Sequence, residues 1–267
     1  MNSDVSDINL LEKNQIDIFS LYTGSKDEYL QNYEALEKLK EECDSLIAKA
    51  AISIGVSSMA LLAPIPLLVT LPVFLLGGIS AEYLIRVGRL YEITKLLLEA
   101  FGNEGVKITP RVKTDEGIID LLIKMPNRQS FALTLRAKGK ARVKWREERQ
   151  DFFVNRKGNK GIKIVKWSTI VAESQKSEKV IRTLKKQKSP LLGVSNTERN
   201  KPVIKAFVLL DETKIDANND PALFVDSGNA KVLRVHSGVV IYVVEKDDLI
   251  KFLSLPEQND PIERDRV

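Results

Sequence analysis

The chain has 267 residues, enough for one domain plus an anchor, with 41 Lys and Arg against 36 Asp and Glu and a formal net charge of +5. Its single cysteine, Cys43, excludes an intrachain disulfide and a cysteine-based zinc site. Its single histidine, His236, lies between the strand-like Leu233-Arg234-Val235 and Ser237-Gly238, reads as a turn or strand-end residue, and has no nucleophile motif beside it. No zinc finger, P-loop, GxGxxG or internal repeat is present.

Residues 1–45 form an acidic helical segment. The first 25 residues are polar and acidic and do not read as a signal peptide, with a short helix expected around Asn9 to Leu21. Ser25 with Glu28 has the spacing of a capping box, which starts a helix at Lys26. Tyr29, Leu36, Leu39, Cys43 and Leu46 make a short apolar stripe on that helix. The stripe suits self-association or association with another helix, and packing on a later helix of the same chain is the alternative.

Ala50 to Ala81 is thirty-two residues without a charged side chain. A spanning helix needs about 20 apolar residues. Extended arms, Leu46 to Ala63 and Leu67 to Ile85 around Pro64-Ile65-Pro66, therefore predict a transmembrane helical hairpin over residues 46–87. Pro72 and Gly77-Gly78 are expected to bend the second arm or admit close approach. With no charged loop at the tip, both flanks fall on one side. Lys38, Lys40, Lys49, Arg86 and Arg89 make that side cytoplasmic, so the lipid bilayer is an expected partner and a membrane the expected location. A hairpin entering one leaflet and a hairpin buried in the protein are the alternatives.

Beyond the hairpin, the helix continues to Glu99 and stops at Gly102. Strand-like runs follow at Val106–Val112, Gly117–Ile123 and Phe131–Arg136, with a turn at Pro126-Asn127. Val143–Phe153 reads as helix, Gly158–Gly161 as loop, Lys163–Ala172 as strand or loop, and Glu178–Lys188 as a basic helix. A polar loop covers Ser189 to Lys201. Pro202–Leu210, Val232–Val235 and Val239–Val244 read as strands, Asp247–Leu253 as a last helix, and residues 256–267 as a disordered tail.

Charge is concentrated in the middle. Arg136 to Lys188 holds 18 Lys and Arg against 5 Asp and Glu, net +13, and the remainder carries −8. Lys138, Lys140, Arg142, Lys144 and Arg146 alternate around Trp145, and Arg156, Lys157, Lys160, Lys163 and Lys166 lead to Trp167. Cations for phosphates and tryptophans for bases make Lys140, Arg142, Lys144, Trp145, Arg146, Arg156, Lys157 and Lys160 candidate nucleic-acid contacts. The same basic face can meet anionic lipid or a protein partner, in which case the chain is a non-enzymatic membrane scaffold.

The order from Gly88 to Leu253 (helix, three-strand meander, helix, strand, last strand and helix) resembles the PD-(D/E)xK nuclease superfamily, with its nuclease-related-domain branch as one candidate. That resemblance implies an α/β domain over residues 88–255, a restriction-endonuclease-like mixed sheet flanked by helices. It assigns the family's helix Glu to Glu92, its strand Asp to Asp120 in Gly-Ile-Ile-Asp-Leu-Leu-Ile, and its (D/E)-x-K to Arg136-Ala137-Lys138. In an active member, strand carboxylates such as Asp120 hold Mg²⁺ and the lysine, here Lys138, orients the attacking water. Arg136 replaces a metal ligand with a permanent cation. The resemblance thus implies either a degenerate nuclease that binds nucleic acid without cutting, or a site completed by Glu147 or Glu148.

Overall fold

The structure, a computed structural model, describes residues 29–62, 67–126, 129–158, 161–227 and 230–254, with side chains in the two long helices described up to Ile52 and from Ala81 onward. Two long helices come first, α1 (Asn32–Leu62) and α2 (Leu67–Phe101). Strands β1 (Lys107–Thr114), β2 (Gly117–Lys124) and β3 (Ser130–Arg136) follow. Next are β4 (Ala141–Arg146), β5 (Asp151–Gly158), β6 (Gly161–Lys166), α3 (Thr169–Lys186) and a short α4 (Asn196–Asn200). The chain then runs through β7 (Val203–Leu209), β8 (Thr213–Ile215), β9 (Phe224–Ser227), β10 (Ala230–His236), β11 (Val240–Glu245) and α5 (Leu249–Leu253).

Seven strands form the main sheet, in the order β1-β2-β3-β7-β11-β10-β9. The β1-β2-β3 meander is antiparallel, and β3, β7 and β11 run parallel. A parallel neighbour needs a crossover, and α3 lies on the one from β3 to β7. Central strands are apolar on both faces because both are covered. In β7, Ala206 and Val208 face the core shared with α1, α2 and α5, while Phe207 and Leu209 face the opposite core. On that opposite side α3 covers the meander, with Val180, Ile181 and Leu184 against Ile119, Leu122 and Ala132. The edge of β1 is closed by a side chain. Asn32 Nδ2 donates to Val106 O at 2.8 Å, and Ile108 N donates to Asn32 Oδ1 at 2.8 Å.

The expected transmembrane hairpin is corrected. Among the described residues no helix is long and apolar enough to cross a membrane. The charge-free run is shared between two helices. It gives thirteen residues to α1 and fifteen to α2, about 20 Å of rise each against about 30 Å of hydrocarbon. Their remaining turns belong to the protein core, where Leu39 and Leu46 of α1 pack with Val87, Leu90, Ile93 and Leu97 of α2. The α1 stripe is thus used within the chain. Tyr29 stands outside it, its hydroxyl donating to Lys113 O at 2.7 Å. Helix α2 is continuous through Pro72 and Gly77-Gly78. The short N-terminal helix, the Ser25 cap, the turn at Pro64-Ile65-Pro66, Asn127 and the tail from 256 lie outside the described residues.

A second sheet, in the order β6-β5-β4-β8, covers the rest of the far face. It corrects the helix expected over Val143–Phe153, which is strand β4, a 3-10 turn at Glu147–Arg149, and strand β5. Ala141, Val143 and Trp145 alternate with Arg142, Lys144 and Arg146, a period of two that only a strand can place on two faces. The inward residues Val143, Trp145, Phe152 and Val154 pack on Phe207, Leu233 and Val243 of the main sheet. Lys163–Ala172 divides into β6 and the start of α3, which begins at Thr169 rather than at Glu178.

Candidate functional site

Strands β2 and β3 separate where a cleft opens, and one side chain from each meets there. The last registered pair of that ladder is Leu121 with Leu133. Just beyond it, Asp120 Oδ2 accepts the Leu135 N–H at 2.8 Å and Arg136 Nη1 at 2.8 Å. Glu173, in the second turn of α3, grips the other side of the same guanidinium. Its carboxylate accepts Arg136 Nε at 3.0 Å and Nη2 at 2.8 Å. Arg136 Nη1 also donates to Leu135 O at 2.6 Å. Burial alone opposes the charge on Arg136, but Asp120 and Glu173 outweigh it and raise the pKa above the ordinary arginine value. The guanidinium stays a cation at every accessible pH.

The cleft has a volume of about 460 Å³ and lies between α2 (Glu82, Arg86, Arg89), β1 (Arg111) and the β2–β3 end with Lys138, Trp167 and Glu173. Most of its cations are already engaged. Arg89 Nη2 lies 2.6 Å from Asp211 Oδ2, and Arg111 Nη1 lies 2.7 Å from Glu42 Oε2. Arg111 has φ of 54°, a backbone conformation uncommon outside glycine, and sits over the Tyr83 ring at 5.6 Å. Its Nε and Nη2 are buried with no hydrogen-bond partner among the described residues. Burial first, together with Glu42, pushes the Tyr83 phenol up, against the pull of Arg111. Lys138 Nζ lies over Trp167 at 5.4 Å.

Asp120 and Lys138 therefore both reach the cleft, and Glu92 does not. Glu92 is exposed and ion-paired with Lys246; the glutamates that line the cleft are Glu82 and Glu173. Glu147 lies in the exposed turn after β4, outside the cleft lining. The carboxylate that joins Asp120 comes from α3 and takes Arg136.

Of the basic candidates, Arg142 is exposed, Lys144 and Arg146 are half-buried, and all three point outward from β4. Lys140 Nζ lies 3.4 Å from Glu212, and Arg156 Nη2 donates to Lys138 O at 2.7 Å. Lys157 is in β5, paired with Ile162, but its side chain, like Lys160 as a whole, lies outside the described residues. Trp145 and Trp167 are not available to bases. Both are buried, Trp145 edge-on to Phe152 with ring centroids 4.9 Å apart.

The residues do not fit the Mg²⁺ that a nuclease-like site implies. Asp120 and Glu173 direct their oxygens to a guanidinium that occupies the space between them, and a fixed cation there repels a second one. Among the described residues no group of three or more Asp, Glu, His or Cys is placed to hold a metal ion. No protein-family model, curated protein or solved structure matches the chain.

Proposed function

We propose that this chain is a non-catalytic nucleic-acid-binding protein built on a PD-(D/E)xK-like core. The order of α2, the β1-β2-β3 meander, α3 and a parallel β7 supports the resemblance. One contrast carries the functional reading. Arg89, Arg111 and Arg136 at the cleft each hold a carboxylate, whereas Arg142 and Lys144 on the second sheet have no ion pair or side-chain hydrogen bond among the described residues. Cations that the protein leaves unneutralised are the ones that can release counterions from phosphates. The cleft, in contrast, sets Arg89, Arg111 and Arg136 against carboxylates and offers Arg136 where a metal-bound water would be needed.

The test uses the full chain with labelled DNA and RNA, with Mg²⁺ or Mn²⁺ and with EDTA, following retention and cleavage across a salt series. Retention that falls steeply with salt, with no metal-dependent cleavage, is the expected result. Metal-dependent cleavage that survives Arg136→Met but not Asp120→Ala would overturn the non-catalytic half. Absence of retention at low salt would overturn the binding half.

A further inference from the structure

Resting on that reading, we infer that the nucleic acid is single-stranded and that it lies across the outer face of the β6-β5-β4-β8 sheet rather than in the cleft. Strand registers assemble this face row by row. Lys214, Arg142, Asn155 and Ile164 stand side by side in one row. Lys144, Phe153 and Lys166 form the next, and Arg146 beside Asp151 the third. Residues two apart on β4 are spaced about 7 Å, so Arg142, Lys144 and Arg146 form a ladder of cations along one strand.

Two features distinguish this face from a plain basic surface. Phe153 is 5% exposed because guanidinium groups cover it, Arg146 at 4.7 Å and Arg149 at 5.7 Å from its centroid. A guanidinium set over an aromatic ring is itself a planar group on which a base can stack. The other feature is apolar. Ile162 is 72% and Ile164 51% exposed, on the same face as Arg142 and Phe153.

A duplex does not use either feature. Its bases are stacked inward, its major groove admits a helix or a two-stranded ribbon rather than a four-stranded sheet face, and phosphates gain nothing from isoleucine. A single strand uses all three: phosphates on the β4 ladder, a base on the Arg146 plane, and a second base against Ile164. An ion pair and a hydrogen bond on the face tie up its other polar groups. Lys166 Nζ is held by Asp151 at 2.7 Å, and Asn155 Nδ2 donates to Asp216 at 3.0 Å, which leaves the β4 cations as the mobile charge.

The experiment measures fluorescence anisotropy of the full chain with a labelled oligothymidine of about 16 nucleotides and with a duplex of equal length, at about 0.15 M salt. The single strand is expected to bind at least about tenfold tighter than the duplex. Ile164→Ser is a surface change and Arg146→Lys keeps a cation and its aliphatic stem over Phe153, so each is expected to shift thermal unfolding only slightly. Each should weaken single-strand binding by about fivefold or more, the scale of losing one stacked base. Arg146→Lys keeps the charge and the salt slope, so its loss isolates the planar stack. Equal affinity for duplex and single strand, or full affinity in both variants, overturns this inference and leaves nucleic-acid binding standing. No affinity for either removes the binding reading as well.

Discussion

The cleft and the outer face of the second sheet are built from the same residue type and use it in opposite ways. At the cleft, Arg136 is held by two carboxylates from different elements, and each of the three is only a quarter to a third exposed, at 25–30%. On the sheet face, Arg142 and Lys144 have no ion pair or side-chain hydrogen bond among the described residues, and Arg146 lies over a ring. Charge that is matched and partly desolvated holds elements together, because removing one partner leaves the other uncompensated. Unmatched charge in water contributes little to stability and remains available to a ligand. The number of basic residues in a segment therefore says little about function until each is assigned to a partner.

The largest effect that can break this comparison is at Arg136. Arg136→Met leaves Asp120 and Glu173 facing each other in a half-buried cleft. A fully buried pair loses about 3–5 kcal/mol when broken. The partial exposure here reduces the expectation to about 2–3 kcal/mol, read as a lower urea midpoint with unchanged slope. Asp120→Asn in the Arg136→Met background should restore part of that loss, since one of two like charges is gone. A variant as stable as the parent would show that the cleft cation is not structural.

Arg142→Ala with Lys144→Ala makes the opposite prediction. Stability should stay within about 0.5 kcal/mol. Single-strand affinity should fall, and the slope of log affinity against log salt should drop by about 1.4, two phosphate contacts at about 0.7 each. If instead the pair shifts the unfolding midpoint and leaves the salt slope alone, the two regions are not divided in the way argued. A smaller effect sharpens the cleft half. Glu42→Gln removes the carboxylate 2.7 Å from Arg111, whose Nε and Nη2 already lack partners. A loss of about 1–2 kcal/mol is expected, measured by thermal unfolding.

Much of the main sheet was legible in the sequence, because Gly117–Lys124, Ser130–Arg136 and Val203–Leu209 are short apolar runs between turn signals. The second sheet was hidden by propensity. Lys, Arg and Glu favour helix, and in Ala141–Arg149 they mask an alternation that Val143 and Trp145 make plain once β5 is beside them. The charge-free run misled for a geometric reason, since absence of charge over thirty-two residues does not specify how many belong to one helix. At the site, Asp120 and Arg136 could be read because they lie on adjacent strands. Glu173 could not, since 37 residues separate it from Arg136 and only the crossover helix brings it back. Glu82 was missed because it sits at the end of the run assigned to the hairpin.

The smallest expected effect tests whether matched charge on α3 behaves as pH linkage requires. Glu178 on α3 accepts from Lys205 Nζ at 2.6 Å and from Arg182 Nε at 3.0 Å. Burial alone raises its pKa, but these two partners outweigh burial and hold it below the ordinary glutamate value. A carboxylate whose folded pKa is depressed takes up protons more readily when unfolded. Its contribution is therefore complete above the unfolded pKa of about 4.3 and lost as pH falls through the lower folded value. Glu178→Gln should cost about 0.5–1 kcal/mol at pH 7, and the difference from the parent should shrink as pH falls below about 4. Arg142→Ala should give a difference near zero across the same range, because no carboxylate among the described residues is paired with it. A Glu178 difference that does not change with pH would assign its role to packing of the side-chain stem, and the distinction between matched and unmatched charge would then rest on Arg136 and Arg111.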